Sequence, residues 1–424
     1  MIGAIRSRIR RTIRGDDDQY LVIGAVILST FFIGFGGGVI FPILPNLGVI
    51  LGISPFLVGV ILSANRFSRL LANAPAGILV DWLGTRTPFV IGMFIQGVAT
   101  FGYVIAVVAP APEAWFMLAR LLWGVGSALV FATAYTIAAD VSDDGSRGTS
   151  MGLIRGGVLF GAPTGMVVGG IVSEVSGTVA AFLLATVFAF LASFIAYATI
   201  PETHVEKETR ESVKPWDVDV SVPAVTVGFV NFAVLFVYFG VLFSTLVLFL
   251  AENELGILGF NAQGSSGVFM AITVIIAGVF MFFGGYVSDQ RQSRVPTLVS
   301  FLGLTFVGFV LLAHADSITT LTLACVCVGA GQGGTSGPLM ALLGDLTPDE
   351  RMGRAVGTNN VLGDVGGGIG PLISLPMVDM VGFQPVFLAS SLLPLIAALI
   401  LLAGVYRQTG QVLPGVKIPR GGRS

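Results

Sequence analysis

Charged residues are scarce in this sequence. Only 11% of its 424 residues are Asp, Glu, Lys or Arg, whereas soluble domains carry about 25%. Its two cysteines, Cys325 and Cys327, lie within one apolar run, at a spacing typical of neither a disulfide framework nor a metal site. With only two histidines, it has little from which to build a hydrolytic or metal-dependent centre. The formal net charge of −2 gives no basic surface for nucleic acid. These absences argue against a soluble enzyme and a nucleic-acid-binding protein.

Long apolar runs are abundant instead. Hydrophobic residues make up 54% of the chain and the mean hydropathy is +0.91. A run of about 20 apolar residues is long enough to cross a bilayer as a helix. Twelve such runs are present, at about 20–42, 55–80, 88–109, 114–138, 150–173, 179–200, 223–250, 266–288, 296–313, 318–343, 355–378 and 385–406. We therefore predict an all-α membrane protein with twelve transmembrane helices.

Lys and Arg fall on one side of the predicted membrane. Eighteen of the 22 lie before span 1, in loops that follow even-numbered spans, in the central loop, or after span 12. The opposite loops carry acids such as Glu113, Glu174, Glu252 and Glu254. Because short loops rich in Lys and Arg stay in the cytoplasm, we predict that both termini are cytoplasmic.

Polar stretches set the predicted domain boundaries. These are a cytoplasmic basic segment at 1–19, a six-helix bundle at 20–200, a cytoplasmic central loop at 201–222, a second six-helix bundle at 223–406 and a cytoplasmic tail at 407–424. In the first segment, isoleucines recur at helical spacing among five arginines, which is typical of a helix on the membrane surface. A disordered basic tail that fixes topology is the alternative. The apolar run that follows is too long for a cleaved signal peptide.

Two stretches of the first half recur in the second. GILVDWLGTRTP (77–88) and GYVSDQRQSRVP (285–296) each place an aspartate four residues after a glycine and an arginine five residues after that aspartate, at an offset of 208. ADVSDDGSRGTSMG (139–152) and GDLTPDERMGRAVG (344–357) repeat at an offset of 205 and align Asp140 with Asp345. The chain is therefore predicted to consist of two homologous six-helix bundles.

The first repeated stretch resembles the signature loop between spans 2 and 3 of the major facilitator superfamily. The matching positions are Gly77, Leu79, Asp81, Gly84 and Arg86, and Thr85 stands where a second base is usual. RLLWGVGSA (120–128) resembles the span-4 motif of the family, with Arg120, Gly124 and Gly126 in place. The resemblance covers about residues 20–406. It implies a transporter that works by alternating access, needs no cofactor and is not an enzyme.

Two weaker motifs indicate a branch of the family. GGVIFPILP (37–45) resembles the span-1 motif of the drug:proton antiporters, and GAPTGMVVGG (161–170) is similar to their span-5 motif, although Pro163 lies further from the paired glycines. This branch often has an acid in span 1. Here residues 19–112 contain no acid except Asp81, so proton coupling would need another group.

The resemblance gives the repeated loops a role. Since spans 2 and 11 meet in the family fold, we hypothesise that Asp81 reaches the positive N-terminus of span 11 while Arg86 pairs with Asp140. Gly77 would let the backbones approach closely. The second latch would use Asp289, Arg294 and Asp345 with the N-terminus of span 5, and Gly84 and Gly285 complete the two cytoplasmic latches. The latches would hold the outward-facing state. The alternative is that these residues only set topology and turn geometry.

Glycines repeat every four residues along span 5. Gly157, Gly161, Gly165 and Gly169 would form one smooth helix face suited to close packing. Pro163 permits a bend in the same span. We therefore predict that this span packs closely on a neighbouring helix.

Ionisable residues within the spans are rare and indicate function. The substrate or coupling candidates are Asn65, Arg66, Arg69 and Asn73 in span 2, Arg120 in span 4, Arg155 in span 5, and Asn360 and Asp364 in span 11. Asp364 is either a static partner of Arg66 or Arg69 or a proton-coupling site. The two arginines either bind substrate or form ion pairs. A net positive cavity would favour an anionic or zwitterionic substrate.

We therefore predict a secondary active transporter of a small molecule, exporting drugs or other hydrophobic organic compounds in exchange for protons. An organic-anion transporter is the alternative, and a sensor that does not transport is a minor one. The predicted partners are the substrate, protons and the lipid bilayer of the cell membrane, with no nucleic acid, no metal and a monomeric state.

Overall fold

Helices make up all the regular secondary structure in the described residues. The computed structural model describes residues 16–141, 147–200, 202, 219–291 and 293–415. The basic segment predicted as a surface helix and most of the central loop lie outside these ranges.

Six long helical segments form the first half of the chain, with one short helix after the first of them. They are α1 (Asp16–Val39) with the short α2 (Leu44–Leu51), α3 (Pro55–Leu83), α4 (Arg86–Val108), α5 (Pro112–Val141), α6 (Arg147–Ser176) and α7 (Thr178–Thr199). The short α2 occupies what was predicted as a loop after span 1. Pro45 suits its first turn, where no intrahelical N–H bond is lost, and Gly52 at φ +69° ends it.

Six segments follow in the second half. They are α8 (Val222–Leu235) continued by a π-helix (Phe236–Leu242) and α9 (Phe243–Glu252), then α10 (Ala262–Gln290), α11 (Val295–Ala313), α12 (Ile318–Leu346), α13 (Asp349–Val381) and α14 (Phe383–Thr409). The π-helix was not predicted. It lies where span 7 was predicted to be one continuous α-helix.

Ten of these segments are long and apolar enough to cross a membrane, judged over the described residues alone. The two that fall short are α3 and α12. Arginines and asparagines interrupt α3, and a glycine-rich stretch with Gln332 dilutes the hydropathy of α12. Both helices have 29 residues, which is ample to span a core of about 30 Å. The described residues thus contain twelve helical segments long enough to span a membrane, which agrees with the twelve predicted spans.

The described residues form two compact units, and the boundaries of these units differ from those of the two sequence halves. Unit 1 comprises the described residues of 1–53, 64–212 and 263–271; unit 2 comprises those of 54–63, 213–262 and 272–424. The first turns of α3 thus belong to unit 2, and the first turns of α10 to unit 1. The predicted domain boundaries do not include this exchange and stay predictions.

In unit 1, the glycine face of α6 lies directly against α1. A Cβ added at Gly161 would lie 2.9 Å from the carbonyl carbon of Phe31, and one at Gly165 would lie 2.8 Å from that of Phe35. Gly157 faces Ile27, and Gly169 faces Val39. Inside a bilayer, where the hydrophobic effect adds little between helices, such close backbone contact is a main source of helix association.

Unit 2 contains a similar seam, in which α13 packs on α8 and the π-helix. Added Cβ atoms at Gly366 and Gly370 would lie 2.9 Å from the Phe232 carbonyl carbon and the Phe236 oxygen, respectively. The two seams join span 5 to span 1 and span 11 to span 7, as expected for repeated halves.

The π-helix places two hydroxyl groups on one backbone carbonyl. The oxygen of Gly240 accepts hydrogen bonds from Ser244 at 2.5 Å and from Ser374 of α13 at 2.6 Å. All three residues are buried. The two hydroxyls thus join α9 and α13 at Gly240 of the π-helix.

Candidate functional site

Two predicted site residues, Asn65 of α3 and Arg120 of α5, contact each other. Arg120 donates from Nη2 to Asn65 Oδ1 at 2.5 Å, and only 2% of Arg120 is exposed. Its Cζ atom lies 6.0 Å from the ring centroid of Trp123, and it is the charged neighbour of the buried Tyr103 hydroxyl. A buried guanidinium needs such polar and aromatic partners, since its desolvation is costly.

Gly124 allows α3 and α5 to cross closely at this point. A Cβ there would lie 2.8 Å from Ser68 Cβ and 3.0 Å from the backbone nitrogen of Arg69. Ser68 donates its hydroxyl to the Leu121 carbonyl at 2.7 Å. The Arg69 Cζ atom lies 6.0 Å from the ring centroid of Phe131. The span-4 motif thus anchors the polar stripe of α3 to α5.

The remaining members of the stripe differ in exposure. Arg66 and Arg69 are half-buried, and Asn73 is exposed. Arg155 lies in α6, but its side chain is outside the described part of the structure.

In unit 2, the polar residues of α13 lie beside α8. Asp364 is half-buried, Asn360 is exposed and Asn359 is buried. Asn231 of α8 donates from Nδ2 to the Asn359 carbonyl at 2.9 Å, and Asn359 donates to the sulfur of Met340 at 3.4 Å. Sequence reasoning missed Asn231, although a lone amide in an apolar span was a usable signal. Pairing of Asp364 with the arginines of α3 stays a prediction.

The second predicted latch brings its three charged residues together. Arg294 donates to Asp289 Oδ1 at 2.7 Å and to Asp345 Oδ2 at 2.5 Å. The Arg294 and Asp345 side chains are 11% and 20% exposed, whereas Asp289 is 71% exposed. Burial lowers the pKa of Arg294, but its bonds to the two aspartates outweigh burial and raise the pKa above its ordinary value. Arg294 thus joins the end of α10 to the end of α12.

The first latch is described only in part. The side chains of Asp81 and Asp140 lie outside the described residues, so their predicted contacts stay predictions. Arg86 donates from Nη2 to the Tyr197 carbonyl at 2.7 Å, and its Cζ atom lies 5.4 Å from the Tyr197 ring centroid. Gly84 has φ +75°, a left-handed conformation that favours glycine.

The glycines of the two latches have space beside them. A Cβ added at Gly77 or at Gly285 would meet no atom within 4 Å. The latch role of Gly77 and Gly285 stays a prediction.

The comparisons with known proteins agree with this architecture. A family model described as the Major Facilitator Superfamily matches residues 26–371. The multidrug resistance protein MdtG of Serratia proteamaculans is 33% identical over 151 residues, which are 35% of this chain and 36% of that protein. The multi-drug resistance efflux pump PmrA of Streptococcus pneumoniae is 28% identical over 379 residues, which are 86% of this chain and 91% of that protein. The alignments thus span about a third of MdtG and most of PmrA.

Solved structures share the fold at lower sequence identity. A bacterial homolog to the human lysosomal transporter Spinster, in an inward-facing and occupied conformation, has a TM-score of 0.77 and 15% identity, covering 94% of this chain and 99% of that one. The nucleoside transporter NupG has a TM-score of 0.74 and 17% identity, covering 91% and 99%.

Proposed function

Because the chain belongs to the Major Facilitator Superfamily, whose model matches residues 26–371, we propose that it exports drugs or other small hydrophobic organic compounds in exchange for protons. Family membership supports the broader part of this proposal, that the chain is a multi-pass membrane transporter of a small molecule. Its family and fold are those of transporters and not of enzymes. Location in the cell membrane, cytoplasmic termini and a monomeric state are part of the proposal.

The contact between two distant motifs carries this proposal. The segments 37–45 and 161–170 each resemble a motif of the drug:proton antiporters, and they pack on each other in unit 1. A Cβ at Gly38 would lie 3.0 Å from the Ala162 carbonyl carbon and 3.1 Å from the Met166 nitrogen. Two motifs more than a hundred residues apart therefore form one structural feature, which is stronger support than either match alone. The MdtG and PmrA relatives bear names that fit the same function.

Asp364 is the proposed proton-coupling residue. It is half-buried in α13, in the part of the helix between the Asn231–Asn359 bond and the glycine seam. A carboxyl group that exchanges protons during transport must alternate between environments that favour its charged and neutral forms. The neighbouring Gly363 lies against Asn231 and Leu235 of α8, so movement of α13 relative to α8 would change the surroundings of Asp364.

A flux measurement tests the proposal. Purified protein in liposomes with an internal pH-sensitive dye would be given a pH gradient and then a panel of lipophilic cations and organic anions. Asp364→Asn is compared with Asp379→Asn, an exposed acid on the same helix. We expect lipophilic cations to dissipate the pH gradient in liposomes that contain the unmodified protein or Asp379→Asn, but not in those that contain Asp364→Asn. Equal proton flux in both variants would exclude Asp364 as the coupling group.

An organic-anion transporter is the second candidate, and the arginines of unit 1 favour it. Arg66, Arg69 and Arg120 lie in α3 and α5, and the sequence from 19 to 112 holds no acid except Asp81. This function would be established if organic anions alone dissipated the pH gradient, and if that effect were lost in Arg69→Gln but kept in Arg407→Gln, which changes an exposed residue. Absence of tracer flux for every compound in the panel would instead favour a sensor that does not transport.

A further inference from the structure

The beginning of α10 packs tightly on the end of α6 within unit 1. A Cβ added at Gly170 would lie 2.6 Å from the Gln263 carbonyl oxygen, and one at Gly267 would lie 3.0 Å from the Met166 carbonyl carbon. Ser173 Oγ also lies 3.5 Å from Gln263 Oε1. Glycines on both helices thus bring the two backbones into contact, at the end of α10 opposite to Asp289.

A carboxylate of α6 caps α10 at this contact. Glu174 Oε2 accepts a hydrogen bond from the backbone N–H of Gly264 at 3.0 Å. Asn261 occupies the N-cap position of α10, but its side chain does not cap the helix. The first N–H groups of a helix lack intrahelical partners and carry partial positive charge, so an acid stabilises them. The cap of α10 therefore comes from another helix, 90 residues earlier in the sequence.

The repeated half does not reproduce this arrangement. At the offset of 205, the position equivalent to Glu174 is Asp379, which is exposed near the end of α13. The helix start equivalent to that of α10 is that of α3, where the hydroxyl of Ser54 accepts from the backbone N–H of Leu57 at 3.3 Å. Thus α3 is capped by its own Ser54, whereas α10 is capped by a carboxylate of α6.

We propose that Glu174 is a positioning residue of the transport cycle, whose bond to the N-terminus of α10 holds the outer ends of α6 and α10 together and must break when they separate. The inference rests on the proposed alternating-access function. Since α10 belongs to the second half of the sequence and α6 to the first, the bond joins the two halves on the side opposite to the cytoplasmic latches. It is a charge-assisted bond, which is stronger than one between neutral groups.

Cysteine labelling tests this inference. In a background with Cys325→Ser and Cys327→Ser, the reporter is Ser266→Cys, because Ser266 is fully buried one turn into α10. A membrane-impermeant maleimide added from outside would label this cysteine only when the seam opens. A second reporter, Asn73→Cys, uses an exposed residue of α3 and is labelled from the cytoplasmic side in inverted vesicles. Asp379→Ala is the matched control.

We expect Glu174→Ala to raise the labelling rate at position 266 by about tenfold, equivalent to about 1.4 kcal/mol, and to lower it at position 73. Glu174→Gln keeps an acceptor oxygen without the charge and should give a smaller rise. Asp379→Ala should leave both rates unchanged. An unchanged rate at position 266 in Glu174→Ala, or a rise at both positions, would overturn the inference, because the latter indicates general loosening. Labelling needs neither substrate nor a proton gradient, so it fails or succeeds independently of the drug-export proposal.

Discussion

The glycine seam between α1 and α6 gives the sharpest stability prediction. A Cβ at Gly161 would lie 2.9 Å from the Phe31 carbonyl carbon and nearer still to its oxygen, whereas ordinary contact begins at 3.4 Å. Both partners are backbone, so no side chain can turn aside. The two helices would have to separate by about 0.5–1 Å, and overpacking of this kind costs about 1–3 kcal/mol.

The assay compares Gly161→Ala with Gly156→Ala, a substitution on the same helix. A Cβ at Gly156 meets no atom within 4 Å, and alanine favours the helix by about 1 kcal/mol. Thermal unfolding in detergent is followed by intrinsic tryptophan fluorescence. We expect the unfolding temperature of Gly156→Ala to equal or exceed that of the unmodified protein, and that of Gly161→Ala to be lower. The reasoning fails if Gly161→Ala is as stable as Gly156→Ala.

Three further predictions use the same measurement. Gly84→Ala should cost about 1–2 kcal/mol, because its φ of +75° is left-handed; a neutral effect would mean that the turn rearranges. Arg294→Gln should lower the free energy of unfolding by about 1–3 kcal/mol, because it leaves the largely buried Asp345 without its cation. The exposed Arg291→Gln should change the free energy of unfolding by about 0.5 kcal/mol at most. Equal losses would refute this. Ser374→Ala should lower the free energy of unfolding by less than about 1 kcal/mol, because Ser244 still donates to the Gly240 carbonyl. The variant with both Ser244→Ala and Ser374→Ala should lose more than the sum of the two single losses. Simple additivity would count against a shared acceptor.

The twelve helices could be predicted because each one needs a long apolar stretch, which is a local property. The helix ends were harder. The sequence predicted a loop after span 1, but Pro45 and Gly52 delimit the additional helix α2 there. The π-helix at 236–242 was not predicted, and the close approach of Gly370 in α13 to Gly240 within it joins segments that are far apart in the sequence.

The sequence predicted which residues belong to the candidate site, but it did not predict which of them contact each other. Asn65 and Arg120 were both singled out as polar residues in apolar spans, yet nothing in either segment indicates that they bond to each other. The same holds for Glu174, which reads as an ordinary loop acid until Gly264 is placed beside it. In the second latch, the bond of Arg294 to Asp345 follows the predicted pairing of Arg86 with Asp140. The bond of Arg294 to Asp289 was not predicted, and the latch role stays a prediction.

The π-helix also bears on how this segment tolerates changes in length. A π turn accommodates one residue more than an α turn. Deletion of a single residue between 236 and 242 would therefore let the segment 222–252 become a regular α-helix without breaking it. Because the wider π turns absorb the extra residue, α9 would keep nearly the same rotation about the helix axis relative to α8 after this deletion. The side chains of α9 would therefore still meet α13, whereas deletion of one residue elsewhere in the segment, where each residue turns by about 100°, would rotate them away.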